Sequence, residues 1–356
     1  MTYDTFTAAN TEKGFCSYFD ELIRDDSLKR VYLIKGGPGC GKSTLMKKIA
    51  DKFEKENMTV ERIHCSSDPD SLDGVKVTEK GFVVIDATAP HVYDMGTPGA
   101  FESIVDLSRF WNENKLAENR DEIKSLFTEI SAGYKPVYNL LKAAGSVEAW
   151  QCQQLDGKID YEKINAQIKK VIKQNAITPV SSKPTVSNRL LSAFAGDGVI
   201  TYSKTTDTLC SEYIIIDDTA GIAGIFLSKT ATCFQKLGYD TVLIRSPLSP
   251  DKRLEQVIIP QLRLGFIAGG HLYSPEIDDK KVLKTISSKN YIDREFYSAN
   301  KNKITFARKL IRELISRAAK DMGDIKKKHD LLEKYYIEAM NFKALNKYTE
   351  EFIQKL

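Results

Sequence analysis

A glycine-rich segment that ends in a lysine and a serine is the part of the sequence best suited to chemistry. Residues 36–43 read Gly-Gly-Pro-Gly-Cys-Gly-Lys-Ser, which fits the pattern G-x-x-x-x-G-K-[ST] of phosphate-binding loops. Glycines let successive backbone N–H groups turn toward an anion, because they lack the Cβ atom that would obstruct such a nest. The segment predicts binding of a nucleoside triphosphate, ATP with Mg²⁺, rather than a turn that only caps a helix.

The residue types at the end of this segment divide the phosphate chemistry among them. We expect Lys42 to reach the β- and γ-phosphates, Ser43 to ligate Mg²⁺, and Thr44 to lie near the α-phosphate. The rest of the predicted nucleotide-binding set contributes backbone contacts and consists of Gly36, Gly37, Pro38, Gly39, Cys40 and Gly41.

The elements around the segment are those that a phosphate-binding loop needs. Residues 30–35 form a short apolar run typical of a buried strand, and residues 42–56 carry apolar side chains at helical spacing. Residues 59–65 and 82–86 indicate two further strands. Strands connected by helices in this way favour a parallel sheet with helical crossovers.

Asp86 ends the apolar strand at residues 82–86, which is the Walker-B arrangement of a carboxylate beside Mg²⁺. The alternative is a strand-terminal aspartate that caps a turn. Ala87 follows, where many motor ATPases have a glutamate that activates water. A catalytic base must therefore come from elsewhere.

The loop at residues 64–73, after the second strand, offers candidates for that base. Asp68 and Asp70 are candidates for a catalytic role, with His64 beside them, because ligands of such folds collect at this end of the sheet. The alternative is an Asp-Pro-Asp turn that caps a helix. The related tripeptide at residues 249–251 supports that alternative.

Other polar residues have weaker claims on function. Thr88 and His91 are candidates for sensing the γ-phosphate, although a lone histidine is more often structural. Arg109 and Arg120 are candidates for a lid or an arginine finger, against the alternative of solvated helix residues. Residues 326–328, three consecutive lysines, indicate a solvated helix face.

The second half of the chain repeats the first. Tyr213 lies 181 residues after Tyr32 (213 − 32) in a similar apolar strand, and the same offset superposes Phe234 on Phe53. A chance match would not keep its register through a strand and a helix. A helical pattern follows each copy.

This repeat predicts an α/β fold in which a P-loop NTPase parallel sheet, flanked by helices, is duplicated in tandem. Residues 178–188, with two prolines among serines and threonines, indicate a linker. The predicted domains are residues 1–187, with the intact phosphate loop, and residues 188–356, with a degenerate site.

The second copy keeps the scaffold and loses the chemistry. Asp86 falls on Phe266 or Ile267, depending on the alignment gap. The positions equivalent to Gly36, Gly39, Gly41, Lys42 and Ser43 hold Asp217, Ala220, Ile222, Ala223 and Gly224. With an added anion and without the lysine, the magnesium ligand and the carboxylate, this copy is not expected to bind Mg-ATP in the usual way.

Composition restricts the remaining choices. The chain has 356 residues, 42% hydrophobic and 28% charged, and a net charge of +4, so electrostatics does not require nucleic acid or a membrane as partner. No apolar run is long enough to span a bilayer, and residues 1–14 do not have the apolar core of a signal peptide. Six scattered cysteines without a C-x-x-C pair favour reduced thiols, so we expect a cytoplasmic protein.

The chain resembles a largely uncharacterised bacterial family of duplicated P-loop NTPases, usually labelled ATPase or ATP-binding protein. The resemblance covers most of the chain and rests on residues 10–15, 35–48, 64–73 and 86–91. It implies ATP binding and ATP hydrolysis. We expect residues 10–15 to contact either the nucleotide or the other lobe. The second half often carries a working loop in that family, and here it does not, which weakens any two-site mechanism.

Three functions fit these observations. The first is an Mg-dependent ATPase with one active and one degenerate lobe. The second is a small-molecule or nucleotide kinase, indicated by the acidic loop and the missing glutamate, and the third is a nucleotide-dependent binding module without turnover. The sequence leaves open the phosphate acceptor, a protein partner and an oligomeric state.

Overall fold

The computed structural model describes residues 1–90, 93–175, 177–180, 183–270 and 275–356. It has two α/β lobes in tandem, each with one six-stranded mixed sheet flanked by helices. The strands of the first lobe are β1 (Thr2–Phe6), β2 (Ala8–Thr11), β3 (Gly14–Ser17), β4 (Arg30–Lys35), β5 (Val60–His64), β6 (Leu72–Val77), β7 (Phe82–Asp86) and β8 (Glu102–Asp106). Its helices are α1 (Phe19–Ile23), α2 (Lys42–Lys55), α3 (Glu113–Glu118), α4 (Arg120–Gln154) and α5 (Tyr161–Gln174).

The second lobe continues the numbering. Its strands are β9 (Val186–Arg189), β10 (Ser192–Ala195), β11 (Gly198–Thr201), β12 (Glu212–Asp217), β13 (Thr241–Arg245), β14 (Leu254–Ile259), β15 (Leu264–Gly269) and β16 (Val282–Ser287). Its helices are α6 (Ser203–Leu209), α7 (Ala223–Lys236), α8 (Arg294–Ala339) and α9 (Phe342–Gln354).

The two sheets have the same topology. The first has the strand order β1-β5-β6-β7-β4-β8, and the second has the order β9-β13-β14-β15-β12-β16, in which every strand stands at the position of its counterpart. The predicted duplication is therefore confirmed, and so is the helical segment after each copy.

The prediction of a parallel sheet was wrong. Strands β6 and β14 each run antiparallel to both of their neighbours, so both sheets are mixed. The connections into these strands are short loops rather than helices, and a short connection favours an antiparallel neighbour. The predicted linker also contains structure, because β9 begins at Val186 and pairs with β13 in the second sheet.

Contacts outside the sheets follow the 181-residue offset as well. An isolated bridge joins Trp111 to Met340, and its counterpart joins Ile159 to Ile292. The offset relates Trp111 to Ile292 (111 + 181) and Ile159 to Met340 (159 + 181). The lobes are thus related by an approximate two-fold axis.

The helices that follow each copy reach across to the opposite lobe. Helices α4 and α8 pack against each other in antiparallel orientation, with Lys328 Nζ 2.9 Å from Glu129 Oε2. Beyond them, α5 packs on the core of the second sheet through Ile164 and Ile168. Likewise, α9 packs on the core of the first sheet through Leu345. Each sheet is therefore completed by a helix that belongs, in sequence, to the other copy.

A buried ion pair also joins the lobes. Arg189 on β9 donates to both carboxylate oxygens of Glu61 on β5, at 2.6 and 3.2 Å, and both residues are buried. Of the helices in the described ranges, none is long and apolar enough to cross a membrane.

Candidate functional site

The glycine-rich segment, residues 36–43, forms the loop between β4 and α2, and we call it the glycine loop. Gly39 and Gly41 have positive φ angles, +65° and +87°, a region that residues with a Cβ rarely adopt. Gly41 is the N-cap of α2, so the helix begins at Lys42 and its first N–H groups face the loop. The glycines therefore set the path of the chain into a helix N-terminus, where anions are stabilised.

Lys42 lies folded back on the glycine loop. Its ammonium donates to the carbonyl oxygens of Gly36 and Gly37 at 3.0 and 2.8 Å. It also lies 3.5 Å from a carboxylate oxygen of Asp86, and both side chains are 14% exposed. The lysine is thus close to the loop and the carboxylate at once, in a largely buried position.

Asp86 is placed here by strand pairing. It ends β7 next to β4, in register with Ile34, two residues before the loop. Its Oδ1 accepts the N–H of Thr88 at 2.8 Å, while the Thr88 hydroxyl donates to Gly36 O at 3.0 Å. Burial raises the pKa of the Asp86 carboxyl, and the nearby Lys42 ammonium opposes that rise.

Ser43 and the start of β6 form the next part of the site. The Ser43 hydroxyl oxygen accepts the N–H of Leu72 at 3.0 Å. The next residue, Asp73, is buried, and after burial its negative charge is a further reason for the raised pKa of Asp86. The residue after Leu72 is therefore a buried acid whose charge acts on Asp86.

Asp73 was not among the residues singled out from the sequence. The antiparallel direction of β6 brings its first residues to the edge where β5 and β7 end. The second copy offers one signal for Asp73, an acid at the equivalent strand position. Glu255 is the second residue of β14, as Asp73 is the second residue of β6.

The remaining acids of the loop at residues 64–73 face other partners. Asp68 accepts the Ser71 hydroxyl at 2.7 Å and lies 3.3 Å from the ammonium of Lys326 on α8. Asp70 is exposed. His64 engages Asp4 through Nε2 and the Pro69 carbonyl through Nδ1, at 2.8 and 2.7 Å. These residues connect the loop to neighbouring elements.

The other predicted polar residues lie in varied places. Arg109 stacks over the ring of Tyr348, 4.2 Å from its centroid, and Arg120 is exposed beside Asp121. His91 lies outside the described residues. Of the three lysines at 326–328, the first faces the loop of the site through Asp68, whereas its two neighbours pair with surface acids.

Helices α8 and α9 cover the glycine loop. A Cβ atom added at Gly37 would lie 2.8 Å from a ring carbon of Tyr336, and one at Gly39 would lie 2.9 Å from Ile337. A Cβ at Gly41 would lie 3.0 Å from Leu345 on α9. The ring of Tyr336 also packs on Trp111, with centroids 5.6 Å apart. We call Trp111, Tyr336, Ile337 and Leu345 the cover.

A second set of potential metal ligands lies on α8 near the cover. His329, Asp330 and Glu333 present ligand atoms within 4.8 Å of one another. Lys326 already pairs with Asp330 at 3.0 Å, so a cation there would compete with an ammonium group. Ser43, Asp73 and Asp86, beside the glycine loop, offer a more buried oxygen set for Mg²⁺.

The motif at residues 10–15 faces the other lobe. Lys13 pairs with Asp251, and Glu12 pairs with Lys252. The Glu12 N–H donates to Leu248 O at 3.1 Å. The sequence left open whether this motif contacts the nucleotide or the other lobe. In this structure it contacts the second lobe.

The two cysteines near the site are not activated thiols. Burial raises the pKa of Cys40, and it raises the pKa of Cys65 well above the ordinary value. A buried thiol that stays protonated is a poor nucleophile.

The second lobe differs at the equivalent positions. Strand pairing sets Ile267 opposite Ile215, as Asp86 stands opposite Ile34, so the counterpart of Asp86 is Ile267. Helix α7 begins at Ala223, the counterpart of Lys42. The carboxylate at its N-terminus belongs to Asp218 rather than to Asp217, since the Ala223 N–H donates to Asp218 Oδ1 at 2.7 Å.

Comparison with known proteins gives one partial match. The family described as Nephrocystin 3, N-terminal, matches residues 16–78, a segment that contains β4, the glycine loop and α2. The match is too short to assign the chain to that family. No curated protein and no solved structure matches the chain significantly.

Proposed function

We propose that the first lobe binds ATP with Mg²⁺ at the glycine loop and hydrolyses it, and that the second lobe has no working site. The observation that carries the proposal is the convergence of Lys42, Ser43 and Asp86 at the N-terminus of α2. The family match adds support, because the matched segment contains the loop and that family is linked to proteins with NTPase domains.

Each residue would have a defined task. Lys42 would exchange its bonds to two loop carbonyls for the phosphate oxygens, which offer a stronger, charge-assisted bond. Ser43 and Asp86 would hold Mg²⁺ through oxygen ligands. The bound Mg²⁺ would neutralise charge on the phosphates.

Asp73 is our candidate for orienting the attacking water. It is buried, and it lies close enough to Asp86 for its charge to act on that carboxyl. A carboxylate that accepts a proton from water or positions it meets the requirement for a base that Ala87 leaves unfilled. Asp68 and Asp70 are less suitable, because the Asp68 side chain is 34% exposed and Asp70 is exposed.

The test is ADP release from Mg-ATP by the full chain and by Lys42→Ala, Asp86→Asn and Asp73→Asn. Lys47→Ala is the matched control, since Lys47 is an exposed lysine on the same helix. We expect Lys42→Ala to weaken ATP binding roughly 10- to 100-fold, the value of one or two charge-assisted hydrogen bonds. Asp73→Asn should lower the turnover rate while ATP still binds.

A panel of metabolites in the same assay separates hydrolysis from phosphotransfer. Release of ADP that is independent of the panel supports the ATPase. ADP release that depends on one metabolite would indicate a kinase instead of an ATPase. ATP binding that survives Lys42→Ala unchanged refutes the site itself.

A further inference from the structure

The second lobe binds a carboxylate of its own chain where the first lobe has its glycine loop. Asp218 is fully buried and caps the N-terminus of α7, with the Ala223 N–H 2.7 Å from its Oδ1. By the 181-residue offset, Asp218 corresponds to Gly37 and Ala223 to Lys42. The carboxylate therefore lies at the helix end that, in a phosphate-binding loop, faces the phosphates.

Two arginines hold the same carboxylate. Arg253 donates to Asp218 Oδ2 at 2.7 Å, and the guanidinium of Arg308 on α8 lies 3.6 Å from that oxygen. Arg308 also donates to the backbone carbonyl of Asp218. A helix N-terminus with two guanidinium groups is the chemistry of a phosphate site rather than of an ordinary helix cap.

Two further acids share these cations. Arg253 donates to Glu255 at 2.9 Å, and Glu148 on α4 is nearby, where it accepts the hydroxyl of Ser249 at 2.5 Å. The cluster thus holds three carboxylates and two guanidinium groups. An external anion would have to replace Asp218 rather than add to it.

We propose that the second lobe retains an anion-binding site of the phosphate class, and that Asp218 fills this site as a built-in substitute for phosphate. This explains why the second copy has no lysine and no magnesium ligand and still keeps two guanidinium groups on Asp218. It also leaves one exchangeable nucleotide site per chain.

The cationic groups match an anion with more oxygens than a carboxylate has. Arg308 Nε is buried and has no hydrogen-bond partner among the described residues. Beside Asp218 lies a cavity of about 10 Å³, lined by Gln151, Gly221 and Ile311 among others, which is the space of about one water. Removal of the Asp218 side chain would enlarge this cavity and leave the guanidinium nitrogens that face Asp218 Oδ2, on Arg253 and Arg308, without that carboxylate.

The filled site also anchors α8. Arg308 binds Asp218 near one end of this helix, and Tyr336 covers the glycine loop of the first lobe near its other end. A carboxylate that cannot leave keeps that anchor in place permanently, whereas a nucleotide would release it on dissociation. The second lobe would therefore act as a fixed support for the cover of the first.

The test is Asp218→Gly, which restores the residue type of Gly37. It is made in the Lys42→Ala background, so that phosphate binding by the first lobe is weakened. Thermal unfolding is followed against inorganic phosphate, with formate as a carboxylate probe and chloride at matched ionic strength. Asp218→Asn in the same background is the matched control, because its amide fills the same space without the charge.

We expect phosphate to raise the midpoint of Asp218→Gly by about 2 °C at a concentration tenfold above its dissociation constant. The parent and Asp218→Asn should not respond. Adding Arg308→Met to Asp218→Gly should remove the response.

Three results would overturn the proposal. The first is equal phosphate dependence in the parent, and the second is stabilisation by formate but not by phosphate. The third is an Asp218→Gly chain that ignores phosphate, whether it is folded or stays unfolded, because the anion is meant to replace the lost carboxylate. The readout concerns the second lobe, so it does not depend on whether the first lobe hydrolyses ATP.

Discussion

Truncation of the cover should make the glycine loop easier to reach. In Tyr336→Ala, the ring that packs on Gly37 and on Trp111 is lost. The two aromatic rings have centroids 5.6 Å apart at an interplanar angle of 51°, and a pair of this kind contributes about 0.5–1.5 kcal/mol beyond its buried area. We expect that contribution to stabilise the covered form and so to keep phosphates from the loop.

The expected change in affinity follows from the population of the uncovered form. The apparent dissociation constant equals the intrinsic one divided by the fraction of competent molecules. Most molecules are expected to be in the covered form. Destabilising that form by about 1 kcal/mol therefore raises the uncovered fraction and tightens ATP binding roughly fivefold. Titration calorimetry with Mg-ATP measures it directly.

Tyr335→Ala is the matched control, because it removes the same side chain from the adjacent position of α8. We expect its affinity for ATP to equal that of the wild type. Weaker binding by Tyr336→Ala would refute the reasoning, since it would make Tyr336 part of the nucleotide-binding surface. Unchanged binding would refute it as well.

Two further predictions concern stability. Glu255 is buried beside Arg253, Asp218 and Glu148. Burial, together with the negative charges of the two acids, outweighs the opposing effect of the arginine and raises the pKa of Glu255 to about 7. The folded state therefore binds more protons than the unfolded state between pH 4.5 and 7, so the free energy of unfolding should fall by up to about 3 kcal/mol as pH rises through that window. Denaturant titration from pH 5 to 8 checks this, and Glu255→Gln should lack that fall; an equal slope in both proteins contradicts it. Glu61→Gln should cost about 3–5 kcal/mol of unfolding free energy, because it leaves the buried Arg189 without its charge partner. Asp51→Asn, in the exposed pair with Arg62, is its control and should cost at most about 1 kcal/mol; a similar cost for both would refute the assignment.

Local patterns were enough to predict the elements that form the glycine loop. The apolar run before Gly36 and the helical spacing after Lys42 depend on a few neighbouring residues, and β4 and α2 lie where these patterns indicate. The duplication was also readable, because one offset related residues in strand and helix alike.

The direction of β6 depends on contacts between distant residues, so it could not be predicted from the sequence. The sequence of β6, Leu-Asp-Gly-Val-Lys-Val, is short and interrupted by polar residues, and it becomes a strand by pairing with both β5 and β7. Its antiparallel entry is what brings Asp73 to the site. Without that pairing, the sequence did not show that Asp73, rather than Asp68 or Asp70, reaches the site.

The crossing of helices between lobes was equally hidden. The amphipathic patterns of α5 and α9 indicate an apolar face, but they do not specify which sheet receives it. Since α9 packs on the first sheet, Leu345 lies against the glycine loop from the far end of the chain. Neither the cover nor the contact of Arg308 with Asp218 could be predicted from local spacing.

The number of ATP molecules that each chain binds is the most direct test of a single nucleotide site in the first lobe. Titration calorimetry of Mg-ATP into the full chain should give one site, and Lys42→Ala should weaken that site at least about tenfold. Lys47→Ala should leave both the affinity and the stoichiometry unchanged. Two sites per chain, or one site that Lys42→Ala does not affect, would contradict the assignment of nucleotide binding to the glycine loop of the first lobe.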